Sequence, residues 1–221
     1  MYNIIFIVTI LITLASQSYI SSTYQKTKKI SSKSHLSGYD VARKILDTNG
    51  LQNIEIEKVS GELSDHYDPA KKKICLSEDI YENTSLASIS VASHECGHAL
   101  QDKDGFAFLR IRRSMVPIVN FASRAGYIII VISVITSFMK FFWIGILLEA
   151  IILLFQIITL PVEFDASSRA LKQIQDLKMV EKAEHQNCKK MLTAAAFTYV
   201  AAVATAILEI LRLLMLVRRN D

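Results

Sequence analysis

The sequence is poor in cysteine, and the three it has, Cys75, Cys96 and Cys188, are odd in number and widely scattered. That excludes a disulfide framework and a structural zinc site of paired cysteines. Internal repeats and low-complexity tracts are absent, so neither a solenoid nor a compositional tail is expected. No nucleic-acid motif is present, and the formal net charge is only +4. The basic residues gather beside apolar runs (Lys26, Lys28, Lys29, Lys33; Arg110, Arg112, Arg113; Arg218, Arg219). They read as flanking charge that orients a membrane protein, not as a nucleic-acid surface. No positive charge precedes the first apolar run, whereas a cleaved signal peptide carries its charge there.

What is present is apolar sequence in long blocks. Hydrophobic residues make up 51% of the 221 residues, and they cluster between strongly charged stretches. Such clustering suggests bilayer spans more than one large soluble core. Residues 1–22 are expected to form an N-terminal membrane anchor whose following lysines lie on the cytoplasmic side. Residues 115–160 hold two apolar runs, each long enough to span about 30 Å of hydrocarbon as a helix. They are expected to form a transmembrane hairpin. Residues 191–217 are apolar and rich in small residues, which suits a fourth membrane helix. Its end, Arg218 and Arg219, would then lie outside against the charge rule, so this helix is expected either to span or to lie along the inner surface. The expected fold class is therefore mainly α and integral to the membrane, with about four transmembrane helices and a small α+β unit over residues 37–114.

Within that unit, residues 38–46 have helical periodicity closed by Asn49-Gly50, and residues 54–59 begin as an alternating strand. A turn-rich stretch, Asp65-His66-Tyr67-Asp68-Pro69, leads to a second short strand at Lys73-Ile74-Cys75-Leu76. Residues 85–101 read as a helix carrying His94-Glu95-Cys96-Gly97-His98. On a helix, histidines four apart share one face and can grip one zinc ion, with Glu95 beside the metal to activate water, so the 37–114 unit is expected to be zincin-like and metal-binding. Cys96 points away from that face and reads as an apolar filler.

A catalytic zinc takes three protein ligands and keeps one position for water. Two membrane crossings after the motif return the chain to the same side at Pro161-Val162-Glu163-Phe164-Asp165. Pro161 suits the first turn of a helix spanning residues 161–190, with Glu163 near its start. Glu163 is the favoured third ligand. Asp165 competes for that place, or orients a metal histidine as an outer carboxylate. His66 is a candidate substrate contact, His185 a remote alternative ligand, and His35 an ordinary surface residue. Arg169 is expected to pair with Asp165 or a substrate oxygen.

In order, GELSDHYDP, LSEDIYENTSLASISVASHECGHALQ, two apolar spans, TLPVEFDASSRAL and AAAFTYVAA resemble the YugP-like family of bacterial membrane zinc metallopeptidases. More distantly, the arrangement is similar to HtpX-type and CAAX-prenyl endopeptidases. The resemblance implies Zn2+ held by His94, His98 and Glu163, Glu95 as general base, and a multi-pass protein of a bacterial cell membrane. The expected activity is hydrolysis of peptide bonds near the membrane surface. The partners would be the lipid bilayer and a peptide or membrane-protein substrate, in quality control or processing, with no nucleic acid. The alternative of a different class is a non-catalytic zinc-binding membrane scaffold or adaptor, against which Glu95 argues.

Overall fold

The computed structural model describes residues 2–136 and 139–220. Most of the chain is helical, and the described residues include four helices long and apolar enough to cross a membrane. Residues 137–138, between the second and third of these, lie outside the described residues. Lys140, which separates the two apolar runs in the sequence, is not in a turn but inside the third of these helices, Met139–Asp176. Two compact units are present, one formed by residues 1–18, 107–161 and 197–221, the other by residues 19–106 and 162–196.

The first unit is built from the start of α1 (Tyr2–Lys28), α5 (Ala107–Thr136), the first part of α6 (Met139–Asp176) and the end of α7 (Lys182–Asn220). Its buried centre is small, formed by Phe142, Ile146, Leu213 and Val217. Large apolar side chains point outward instead, among them Phe6, Leu11, Phe121, Trp143 and Leu147. Outward apolar faces on long helices are the pattern of segments solvated by lipid.

The second unit contains all the strands among the described residues. Its α2 (Gly38–Thr48) opens with a capping box: Ser37 Oγ accepts from the Asp40 N–H and an Asp40 carboxylate oxygen accepts from the Ser37 N–H, at 3.1 and 2.9 Å. Val41, Ala42, Ile45 and Leu46 form its fully buried stripe. The helix stops at Asn49-Gly50, where Gly50 takes φ +73°.

Three strands follow, β1 (Glu55–Val59), β2 (His66–Asp68) and β3 (Lys73–Ser77), in the order β1-β3-β2. β1 runs parallel to β3, with Ile56 opposite Ile74, and β2 runs antiparallel to it, with Tyr67 opposite Ile74. Here the structure corrects the expected turn at 65–69. Residues 66–68 are a strand because the turn lies one step later: Asp68 Oδ1 accepts from the Ala70 and Lys71 N–H groups at 2.9 and 3.1 Å. The hairpin is thus β2–β3, and the central strand β3 buries Ile74 and Leu76 completely.

After the short α3 (Glu78–Glu82), α4 (Leu86–Lys103) runs through the core of the unit. Ser85 caps it by accepting the Ser88 N–H at 3.1 Å. Gly105, at φ +65°, ends it and lets the Phe106 N–H close on the Gln101 carbonyl at 2.9 Å.

A second correction concerns Pro161. No helix begins there: α6 continues unbroken from Met139 to Asp176 with Pro161 inside it. Proline forfeits only one bond to the carbonyl four residues back, and Thr159 and Val162 on either side of it are buried. The expected 161–190 helix is divided instead, since α6 ends at Asp176 and α7 starts at Lys182.

Removing the Ser37 hydroxyl leaves the first α2 amides without their partner. Ser37→Ala should destabilise the protein by about 1 kcal/mol, read as a lower unfolding midpoint in detergent. An unchanged midpoint would show that the cap contributes nothing to the global transition.

Candidate metal centre

The motif helix α4 is built for burial on nearly every side. Its small residues Ala87, Ser88, Ser90, Ala92, Ser93, Cys96 and Ala99 are buried, so neighbouring elements approach its backbone closely. Spacing of four places the His94 and His98 rings together, with centroids 4.8 Å apart in an edge-to-face arrangement. Glu163, from α6, completes the group. Its Oε2 lies 3.3 Å from His94 Nε2 and 3.8 Å from His98 Nε2. One donor atom from each residue falls within 4.8 Å of the others.

The close crossing of α4 and α6 follows from Gly97. A Cβ at that position would sit 2.4 Å from the Ala166 carbonyl oxygen. The crossing therefore admits only a hydrogen there, and it brings Glu163 on one helix to the histidines on the other.

Each histidine is held from behind. Ser167 Oγ lies 3.2 Å from His94 Nδ1, and Gln101 Oε1 lies 3.0 Å from His98 Nδ1. Both contacts use Nδ1, and both Nε2 atoms face Glu163. The donor set fits zinc. Two imidazole nitrogens and a carboxylate oxygen are its usual ligands, and tetrahedral bonds of about 2.0–2.1 Å would place donors about 3.4 Å apart.

Glu95 is almost fully buried at 7% exposure. Burial pushes its carboxyl up to about 7, opposed by His94 and by a hydrogen bond from the Tyr67 backbone N–H, and assisted by the charge of Glu163. A cation beside it would pull this value back down. The Tyr67 contact places strand β2 directly against Glu95. Asp102 clamps the hairpin, accepting the Tyr67 hydroxyl at 2.9 Å and pairing with Lys72.

The remaining candidates take other places. Asp165 is not in the three-residue group: its Oδ2 accepts from Gln101 Nε2 at 2.8 Å and from Arg169 Nε at 2.6 Å. Arg169 also pairs with Asp104. His66 is exposed, its Nδ1 2.7 Å from the Ser64 carbonyl. His185 Nε2 lies 3.3 Å from the Leu171 carbonyl, and His35 sits exposed at φ +52°. Cys96 is the expected filler, fully buried and 3.7 Å from the Ala42 carbonyl, and burial pushes its thiol far up.

Sequence reasoning assigned no role to Gly97, Gln101, Ser167, Tyr67 or Asp102. Gln101 and Ser167 were findable: Gln101 stands three residues after His98, and Ser167 four after Glu163, the spacings that share a helix face.

The chain belongs to the family described as "putative neutral zinc metallopeptidase", which it matches over residues 2–218. It is 40% identical over 201 residues to the "Putative membrane protease YugP" of Bacillus subtilis (strain 168), a match covering 91% of this chain and 89% of that relative. No solved structure matches it.

A methyl group at position 97 must push α6 away from α4. Gly97→Ala should lower stability by about 1–3 kcal/mol and reduce the metal retained after dialysis, measured by elemental analysis. Wild-type stability together with wild-type metal content would show that the crossing tolerates a side chain.

Proposed function

We propose that this protein is a zinc-dependent endopeptidase in which His94, His98 and Glu163 hold the metal and Glu95 is the general base. The observation that carries this reading is the gathering of three donors from two helices within 4.8 Å, with Glu95 next to His94 in the chain. Membership of a zinc metallopeptidase family supports it independently.

Zinc in such a site supplies a Lewis acid that acidifies water and polarises a carbonyl. The chain's own residues do the rest. Glu95 takes a proton from the attacking water and returns it to the leaving amine, so the same carboxyl serves as base and then as acid. The Tyr67 N–H orients that carboxyl, and Ser167 and Gln101 orient the histidines. Strand β2 is at the edge of the sheet beside Glu95. An extended peptide added along it would bring a backbone carbonyl to the site by main-chain hydrogen bonding. A purely structural zinc scaffold has no use for a buried carboxyl at this place.

The substrate class is peptide or membrane protein cut near a bilayer surface, in quality control or processing. Glu163 follows the apolar run ending at Leu160 by three residues on one helix, about 4.5 Å of rise. Lysines after the first apolar run and Arg110, Arg112 and Arg113 before the second orient the site to the cytoplasmic face of a bacterial membrane.

Two substitutions separate binding from chemistry. Purified wild type should carry about one zinc per chain, and Glu163→Ala should lose it. Glu95→Gln should keep the zinc while peptide turnover falls at least about 100-fold. A folded wild type without zinc would sink the proposal, and full turnover by Glu95→Gln would remove Glu95 from its role.

A further inference from the structure

Gln101 is fully buried on α4, and its carboxamide meets three groups. Its Nε2 lies 2.7 Å from the Val162 carbonyl oxygen and 2.8 Å from Asp165 Oδ2, and its Oε1 lies 3.0 Å from His98 Nδ1. A carboxamide carries both of its donors on nitrogen, while its oxygen can only accept. Rotating it by half a turn would set Oε1 against a carbonyl and a carboxylate, losing two buried hydrogen bonds and adding repulsion. The amide therefore has one orientation. With Oε1 facing His98, the hydrogen of a neutral His98 ring must reside on Nδ1, leaving the lone pair on Nε2, the atom 3.8 Å from Glu163 Oε2.

Further out, Arg169 donates to Asp165 and pairs with Asp104 just beyond the end of α4. The series Arg169, Asp165, Gln101, His98 thus alternates donor and acceptor from the protein surface to the metal centre. His94 is treated differently. Its Nδ1 faces the Ser167 hydroxyl, which can donate or accept and so permits either tautomer.

We infer that Gln101 is a positioning residue that locks His98 in the Nδ1–H tautomer, presenting the Nε2 lone pair before a metal arrives, with Asp165 and Arg169 fixing the amide. The inference rests on the zinc reading of His94, His98 and Glu163. It deepens that reading by assigning the two histidines unequal parts: His98 is preset, and His94 adapts. Free histidine favours the opposite tautomer, so an unlocked ring must exchange its hydrogen before it can bind through Nε2. Holding an outer partner in one orientation is worth about ten- to a hundred-fold in metal affinity at sites of this kind.

The test uses the full chain in detergent micelles, 15N-labelled at its five histidines and freed of metal. Nitrogen NMR above the histidine titration range reports which ring nitrogen carries the hydrogen, with the His98 signals assigned by their loss in His98→Asn. The expected result is Nδ1–H at His98. In Gln101→Met, an apolar replacement of similar volume, the expected result is a tautomer mixture and zinc binding weakened about ten- to a hundred-fold in competition with a chromophoric chelator. Nε2–H at His98 in the wild type overturns the inference, as does unchanged zinc affinity in a folded Gln101→Met protein. Should Gln101→Met fail to fold, the wild-type tautomer decides alone. A wild type that shows Nδ1–H but binds no zinc supports the lock and defeats the zinc reading, so the two failures are distinguishable.

Discussion

The close approach of α4 to α6 at Gly97 is the constraint on which the rest of the site depends. With no Cβ at that position, the Ala166 carbonyl can lie against the α4 backbone. Along α6, Val162, Ala166, Ala170 and Ile174 recur every fourth residue and are fully buried, forming the packed row of the helix. The row one residue later carries Glu163 and Ser167, which meet His94. Asp165 and Arg169 form another row, in which Asp165 meets Gln101 and Arg169 holds Asp165. The chemistry of α6 is thus its packing pattern displaced by one residue or more, and the depth of the crossing sets the distances from Glu163 to the two histidines.

That depth has an electrostatic consequence. Glu95, His98, Gln101 and Glu163 are taken out of water together, and a buried polar atom left without a partner costs about 1–3 kcal/mol. The fold answers with specific partners: the Tyr67 N–H for Glu95, the Val162 carbonyl and Asp165 for Gln101, and Gln101 itself for His98. What these partners do not balance is charge. Two carboxyl groups share one dry region, and the upward displacement of Glu95 expresses their conflict with burial and with each other. A divalent cation among the donors would relieve both.

Much of the local structure was legible. The helical periodicity of α2 with its stop at Asn49-Gly50, the strands at β1 and β3 and the motif helix all rest on interactions between near neighbours. The long apolar runs were equally plain. Less visible were features depending on distant partners: the parallel pairing of β1 with β3, the passage of α6 through Pro161, and the strand at residues 66–68. The pairing joins segments with no local link, the helix runs on past a proline that signals a start, and the turn lies one step beyond where its residues pointed.

By itself the sequence determined the chemical alphabet of the site: two histidines one turn apart, a glutamate between them, and a short list of acids able to join them. Helical geometry makes such spacing readable, because side chains four apart share a face in any helix. Only the tertiary structure decided between Glu163 and Asp165 for the place beside the histidines, and it gave Asp165 the different task of holding Gln101. It likewise revealed why position 97 is glycine. These outcomes depend on which face of α6 meets α4 and how closely, and that is set by packing between segments more than sixty residues apart in the chain, which no local pattern records.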